Sequence, residues 1–260
     1  MADSLTFLGT ADGVASPDRH HASLLLRLAG QTLLLDCGEP CSQTLKHLGV
    51  DFNSLDAIVV SHTHSDHVGG LPMLLQSLWL EQRTRPLSVW MPRRAIPPLQ
   101  RWLRACFLFE EQFGFRIRWR PLTARSIVRT GSVRLRAFPT SHLKRTQARF
   151  ARKYPRVGFD AFCLVAEAGG KRIGYSADLG APQDLGPMCA KPLDLLVVEL
   201  AHFHPRALVE VLRGREIGHL VITHLGPAAR ARFAEVKTLL TRQLHPRRLT
   251  FATDGAIVRF

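Results

Sequence analysis

The chain has 260 residues, 46% hydrophobic and 22% charged, enough to bury a full core and too apolar for long disorder. Thirty-five Lys and Arg against 21 Asp and Glu leave a formal charge of +14, which favours polyanionic partners without naming one, since a solvated basic face has the same composition. Five scattered cysteines, Cys37, Cys41, Cys106, Cys163 and Cys189, exclude a disulfide framework and fit reduced thiols in a cytoplasmic protein, and neither a signal-peptide pattern nor an apolar run of membrane-span length is present.

In chain order, an apolar run at 5–8 ends at Gly9, and β-like runs at 23–28 and 32–35 flank Ala29-Gly30-Gln31 as a hairpin. A strand at 55–60 leads into the polar string SHTHSDH, and residues 69–80 read as a helix. A strand at 87–91 precedes a helix beginning near Pro97-Pro98, because Leu99, Trp102, Leu103 and Cys106 repeat at i, i+3, i+4 and i+7. Strands are expected at 115–119, 126–129 and 133–138, then at 161–166 and 171–175 around a Gly169-Gly170 turn. The last third alternates: strand 193–200, helix 205–213, strand 219–223, helix 227–242, strand 249–253, and a final run at 256–260. Trp79, Trp90, Trp102 and Trp119 fall in these patterns and read as core rather than as stacking platforms. Strand-rich stretches between helices, without repeats or linkers, predict two sheets between helix layers in one domain spanning 1–260.

Chemistry concentrates at His62-Thr63-His64-Ser65-Asp66-His67. On a helix His62 and His64 would diverge, so a shared ligand requires extended chain, which the buried-type strand before them provides. Imidazole and carboxylate donors suit zinc or another first-row metal, with two histidines for one ion and Asp66 and His67 turned toward a second. Further ligands should sit at other strand ends, where His142, Asp178 and His224 lie. Each alone is an ordinary surface His or helix-capping Asp; together and in order they complete a two-ion site. Gly9 and Gly13 lack the Lys-Ser/Thr of a nucleotide phosphate loop and instead permit tight turns.

With these motifs the chain resembles the metallo-β-lactamase superfamily, and within it the ribonuclease Z branch. The carriers are LTFLGTADGVASPDR at 5–19, LLLDCGEP at 33–40 and SHTHSDHVGGLPMLL at 61–75. The resemblance is strong over 5–75, patchy over 140–260 and absent over 80–130. It implies an α/β fold, a four-layer αββα sandwich, and a binuclear metal-dependent hydrolase, most simply a phosphodiesterase of RNA or another nucleic-acid-type phosphodiester. A small cyclic or metabolite phosphodiester, or an ester or lactone, is the alternative substrate. By the same resemblance His62, His64 and His142 hold one divalent ion; Asp66, His67 and His224 hold the other; Asp178 bridges them; and Asp36 orients the metal loop. Zinc is the expected metal, with manganese or iron as alternatives, and relatives of this kind often form homodimers.

The sequence departs from the branch at several points. Its long protruding arm would fall between His142 and Asp178, but only residues 143–177 lie there and two strands fill much of that span. In its place the segment 143–156 carries six basic and no acidic residues, and reads either as a solvated loop or as an anion clamp beside the metals. The branch's proton donor is a Glu–His pair; here Glu199 ends a buried strand, and His204, or after it His202, is the expected partner. Ala177 also stands where a glycine commonly precedes the bridging Asp.

Overall fold

Apolar runs separated by turn residues build two seven-stranded sheets. The computed structural model describes residues 2–124, 126–244 and 248–260. In chain order come β1 (Ser4–Gly9), β2 (Ser23–Leu28), β3 (Gln31–Leu35), α1 (Cys41–His47), β4 (Ala57–Val59), the single turn α2 (Ser65–Val68), α3 (Leu71–Leu80), β5 (Leu87–Pro92), α4 (Ile96–Ala105) and β6 (Ile117–Leu122). The second half adds β7 (Ile127–Thr130), β8 (Val133–Pro139), α5 (Lys144–Phe150), β9 (Phe162–Ala168), β10 (Lys171–Tyr175), β11 (Leu193–Leu200), α6 (Pro205–Leu212), β12 (Ile217–Leu225), α7 (Pro227–Ala231), α8 (Phe233–Leu244), β13 (Arg248–Phe251) and β14 (Ile257–Arg259). One sheet has the order β14-β1-β2-β3-β4-β5-β6 and the other β13-β12-β11-β10-β9-β8-β7.

Three apolar layers make this a four-layer αββα arrangement. Leu5, Leu26, Leu33 and Val59 from the first sheet meet Leu135, Leu164, Val197 and Val221 from the second between the sheets. Leu45, Leu71, Leu75 and Leu99 of the helices cover the outer face of the first sheet, and Leu208, Leu212, Val236 and Leu240 cover that of the second. Burial of each such side chain contributes about 1.5–3 kcal/mol. Both expected hairpins form with left-handed turn residues, Ala29 and Gly30 at φ 48° and 78°, Gly169 and Gly170 at 55° and 74°, the mirror-image turn that matches strand twist.

Several expectations change. The basic segment after His142 is not all loop: Lys144–Phe150 is helical with no buried residue. The predicted helix over 227–242 breaks at Arg232 into α7 and α8. In α4 only Leu99 and Leu103 are buried, and Trp102 is 43% exposed, so it is not a core residue; Trp79, Trp90 and Trp119 do pack against the cores. A short helix, α1, follows Pro40 where the sequence had suggested none. Buried Arg83 donates to the carbonyls of Phe52, Leu55, Arg85 and Pro86 and so fixes the entry into β4; burial lowers its pKa to about 10.

Candidate metal centre

Strand direction explains why distant residues converge. β3, β4, β5 and β6 run parallel, as do β10, β11, β12 and β13. β8 and β10 are each antiparallel to β9 and therefore parallel to one another. The chain thus leaves β3 at Asp36, β4 toward His62, β8 toward His142 and β10 toward Asp178, all at one edge, where β11 and β12 also deliver Glu199 and His224. In open α/β sheets the carboxyl ends of parallel strands are where ligands are held.

Beyond β4 the chain runs outside regular structure to His64, which is extended, and α2 then brings in Asp66 and His67, both buried. The Cys37 amide donates to the His67 carbonyl and the Gly70 amide to that of Cys37, clamping this turn onto the 36–38 turn. A Cβ at Gly38 would stand 2.3 Å from the Asp66 carbonyl, so only glycine permits the approach. His224 is aimed by a bulge. Glu199 pairs with Thr223 and Leu200 with Leu225, which leaves His224 as the extra residue at φ 49°, its amide donating to Thr10 instead.

The structure brings together two groups of four. In each of His62, His64, His142, Asp178 and Asp66, His67, Asp178, His224, one ligand atom per residue lies within 4.8 Å of the others. His64 Nδ1 is 3.2 Å from His62 Nε2 and 3.1 Å from His142 Nε2. Asp178 Oδ2 faces His62 and His142 at 3.7 and 3.5 Å, while its Oδ1 faces His67 and His224 at 3.2 and 3.4 Å. One carboxylate thus offers an oxygen to each group. A tetrahedral zinc about 2.0–2.1 Å from its donors needs them about 3.3–3.4 Å apart, close to these separations.

Hydrogen-bond logic fixes the donor atoms. Asp36, fully buried, accepts from the Ser61 amide at 2.7 Å through Oδ1, and through Oδ2 from Ser61 Oγ at 2.9 Å, His67 Nδ1 at 2.7 Å and Tyr175 OH at 2.8 Å. With Nδ1 donating to Asp36, Nε2 is the ring nitrogen turned to the site. Nε2 and Asp178 Oδ1 are both buried, 3.2 Å apart and without another hydrogen-bond partner; in the metal-free protein a proton on Nε2 fills that gap, and a cation takes the proton's place. Ser61 Oγ, its proton given to Asp36, accepts from His62 Nδ1 at 3.1 Å, which leaves His62 Nε2 free. Asp36 therefore sets the tautomers on both sides, an outer-shell role that a metal site requires.

Burial holds His62 well below the usual imidazole pKa, lowers His64, and takes His142 to about 4, so all three are neutral ligand forms. Without a metal His67 stands apart from the other three: burial opposes its charge, but the carboxylates of Asp178 and Asp36 and the hydrogen bonds to them raise its pKa well above the usual imidazole range, so a metal ion has to displace the Nε2 proton. Burial opposes the charge of Asp178, but the imidazoles of His67 and His224 hold its carboxyl well below the usual range.

Glu199 lies beside the second sheet's ligands. Its carboxylate accepts from the amides of Leu179, Ala201 and His202 at 2.9, 2.7 and 3.2 Å and from His202 Nδ1 at 2.8 Å. The expected partner His204 does not meet Glu199 in the structure: it is exposed and caps α6, its Nδ1 accepting from the Arg206 amide at 3.2 Å. Three residues beyond Glu199, His202 can fold back onto it, whereas Pro205 commits the chain to helix directly after His204. The His202 ring stands 4.7 Å from that of His142 and its Nε2 3.9 Å from Asp178 Oδ2; the bond to Glu199 raises its pKa.

Comparison with known proteins places this geometry. The chain is 33% identical over 147 residues to ribonuclease Z of Archaeoglobus fulgidus, covering 55% of this chain and 45% of that one. It is 25% identical to ribonuclease Z of Methanothermobacter thermautotrophicus over 93% of this chain and 92% of the relative. The crystal structure of the metallo-β-lactamase fold protein YhfI from Bacillus subtilis superposes with a TM-score of 0.80 at 16% identity, with 100% of each chain covered. The chain spans less than half the length of the first curated relatives it matches. With a metallo-β-lactamase fold, ribonuclease Z relatives and a match over residues 3–200 to the family described as anti-Pycsar protein Apyc1, the chain belongs to that family.

Proposed function

We propose that this protein is a binuclear metal-dependent hydrolase of phosphodiesters, acting on RNA or a related nucleic-acid-type diester, and that its 260 residues work as one domain. The observation that carries the reading is the pair of ligand groups joined through Asp178 with Glu199–His202 beside them. His62, His64 and His142 would hold one ion and Asp66, His67 and His224 the other, with zinc favoured by the imidazole-rich set and manganese or iron next. Bound divalent ions supply Lewis acidity and neutralise charge on the phosphoryl group.

The chain's own residues do the rest. Asp36 and Ser61 orient the ligands, and Asp66, on the wall of the site, is placed to take a hydrogen bond from the attacking water. His202, held by Glu199 through Nδ1 with its Nε2 on the side of Asp178, is the group to protonate the leaving oxygen as the P–O bond breaks. His64 is exposed, which marks the mouth. Among the described residues no helix is long and apolar enough to cross a membrane, and all five cysteines are free, as suits a reducing cytoplasm.

The test is metal content together with turnover of bis(p-nitrophenyl) phosphate, RNA, a lactone and a β-lactam. Two metal equivalents and turnover of the phosphodiesters are expected; hydrolysis of the lactone or β-lactam alone would sink the proposal. A second reading, a small cyclic or metabolite phosphodiester, is favoured by the short 143–177 segment, which leaves no room for a long gripping arm. It predicts weak salt dependence where a polynucleotide predicts a steep one.

A further inference from the structure

Beside the metal loop runs a groove of about 1240 Å³, larger than the roughly 300–1,000 Å³ that encloses one small ligand. Thr63 and Ser65, which flank His64 in the chain, line it, so it lies beside the site. Arg93 and Arg94 line it from the turn before α4, Arg101 from within α4, and Arg156 from the segment after α5. All four are exposed, no acidic side chain lines the groove, and none of the four has a carboxylate partner among the described residues. Trp102, 43% exposed, stands on the same wall beside Pro97 and Pro98. The walls approach closely: a Cβ at Gly158 would be 2.7 Å from Arg94 Cβ, and Arg94 Nη1 reaches the Pro155 carbonyl at 3.4 Å.

We infer that this groove binds a single-stranded nucleic-acid segment flanking the scissile phosphate, the four arginines taking backbone phosphates and Trp102 stacking on a base. An indole face with unpaired cations around an otherwise apolar floor is the combination that holds unpaired strands without sequence readout. A mononucleotide seated at the metals would leave the groove empty, so the inference selects a polynucleotide substrate. It rests on the phosphodiesterase reading only for the reaction to which the strand is presented.

The experiment measures binding of a fluorescein-labelled 2′-O-methyl oligouridylate to the metal-loaded protein by anisotropy across a salt series, alongside turnover of bis(p-nitrophenyl) phosphate. Replacing Arg93, Arg94, Arg101 and Arg156 by Ala should flatten the salt slope by up to about 3, at roughly 0.7 per phosphate contact. Trp102→Ala should weaken binding by at least about fivefold with little change in that slope. A charge-matched control replaces Lys191, Arg213, Arg215 and Arg242, exposed at the opposite edge of the second sheet, and should retain wild-type affinity. Small-diester turnover should survive in every variant, which also shows that each has folded. Strand binding unchanged in the groove variants, or lost equally in the control, overturns the proposal. So does equal displacement by polyglutamate through Trp102, or light scattering that shows a dimer broken by Trp102→Ala, since the groove then holds an acidic peptide or a second copy. If the wild type binds the strand through these residues yet hydrolyses no phosphodiester, the groove stands and the phosphodiesterase reading fails.

Discussion

Asp36→Asn tests the arrangement most sharply, because one atom changes in a fully buried group that accepts four hydrogen bonds. The amide must place its NH2 either at Oδ2, against three donors, or at Oδ1, against the Ser61 amide alone. Tyr175 does not relieve the conflict by ionising, since burial, which the substitution leaves in place, pushes its phenol well up. The lesser conflict strands one backbone donor, about 1–3 kcal/mol, and removes charge assistance from three other bonds, about 1 kcal/mol each. Relief of carboxylate desolvation offsets part of this, leaving a loss of about 2–4 kcal/mol in the metal-free protein. Because Asp36 also fixes the proton on His67 Nδ1, zinc affinity should fall about 10–100-fold. Urea unfolding of the metal-free form and zinc competition against a chromophoric chelator measure the two effects. Ser61→Ala, which cuts only the His62 arm, should weaken zinc less. A variant with wild-type midpoint and zinc affinity would show that Asp36 is not the organiser of these ligands.

Three further outcomes are expected. Ala177 at φ 46° carries a left-handed cost of about 1–2 kcal/mol that glycine avoids, less glycine's larger unfolded entropy, so Ala177→Gly should raise the urea midpoint by up to about 1 kcal/mol of stability; a lowered midpoint contradicts this. Gly38→Ala drives a Cβ to 2.3 Å from the Asp66 carbonyl, which should cost about 1–3 kcal/mol and release metal on dialysis, read by thermal melting and elemental analysis. His202→Ala should lower kcat on diesters with poor leaving groups by about 10²–10⁴ and barely touch nitrophenyl esters, whereas His204→Ala should leave both nearly unchanged; the reverse ranking would restore His204 as the donor.

The candidate metal ligands were legible because each announces itself twice, by side-chain type and by position at the end of a β-like run, as with His142 after β8 and Asp178 after β10. Spacing along the strand carried that information. What spacing cannot carry is direction after a strand ends. His202 and His204 stand two apart next to the same Glu199, and only the turn that folds His202 back separates them; the signal available was Pro205, whose place at the first turn of α6 assigns His204 to the cap. Trp102 shows the same limit in a helix: the i, i+3, i+4 spacing is real, but with two buried residues the apolar stripe of α4 is narrower than the pattern. Arg83 was invisible because its partners are backbone carbonyls, which every residue has.

Backbone conformation at the centre was equally hidden, and it bears on how metal is received. Six non-glycine residues among those described adopt positive φ, and three of them, Asp36, Ala177 and His224, sit at the candidate centre. Each is an expensive conformation, of order 1–3 kcal/mol, that persists only where the surroundings over-determine it. The surroundings do so here: Asp36 through four hydrogen bonds, Ala177 through Ser176 and the β10–β11 pairing, His224 through its bulge and the bond to Thr10. The candidate ligands are thus arrayed by the fold itself, with His67 Nε2 facing Asp178 Oδ1 at 3.2 Å. Cation binding then replaces the proton that His67 holds against Asp178 instead of organising a loose loop. It follows that metal should raise the unfolding midpoint while scarcely changing the urea m-value, since little additional surface is ordered when it binds.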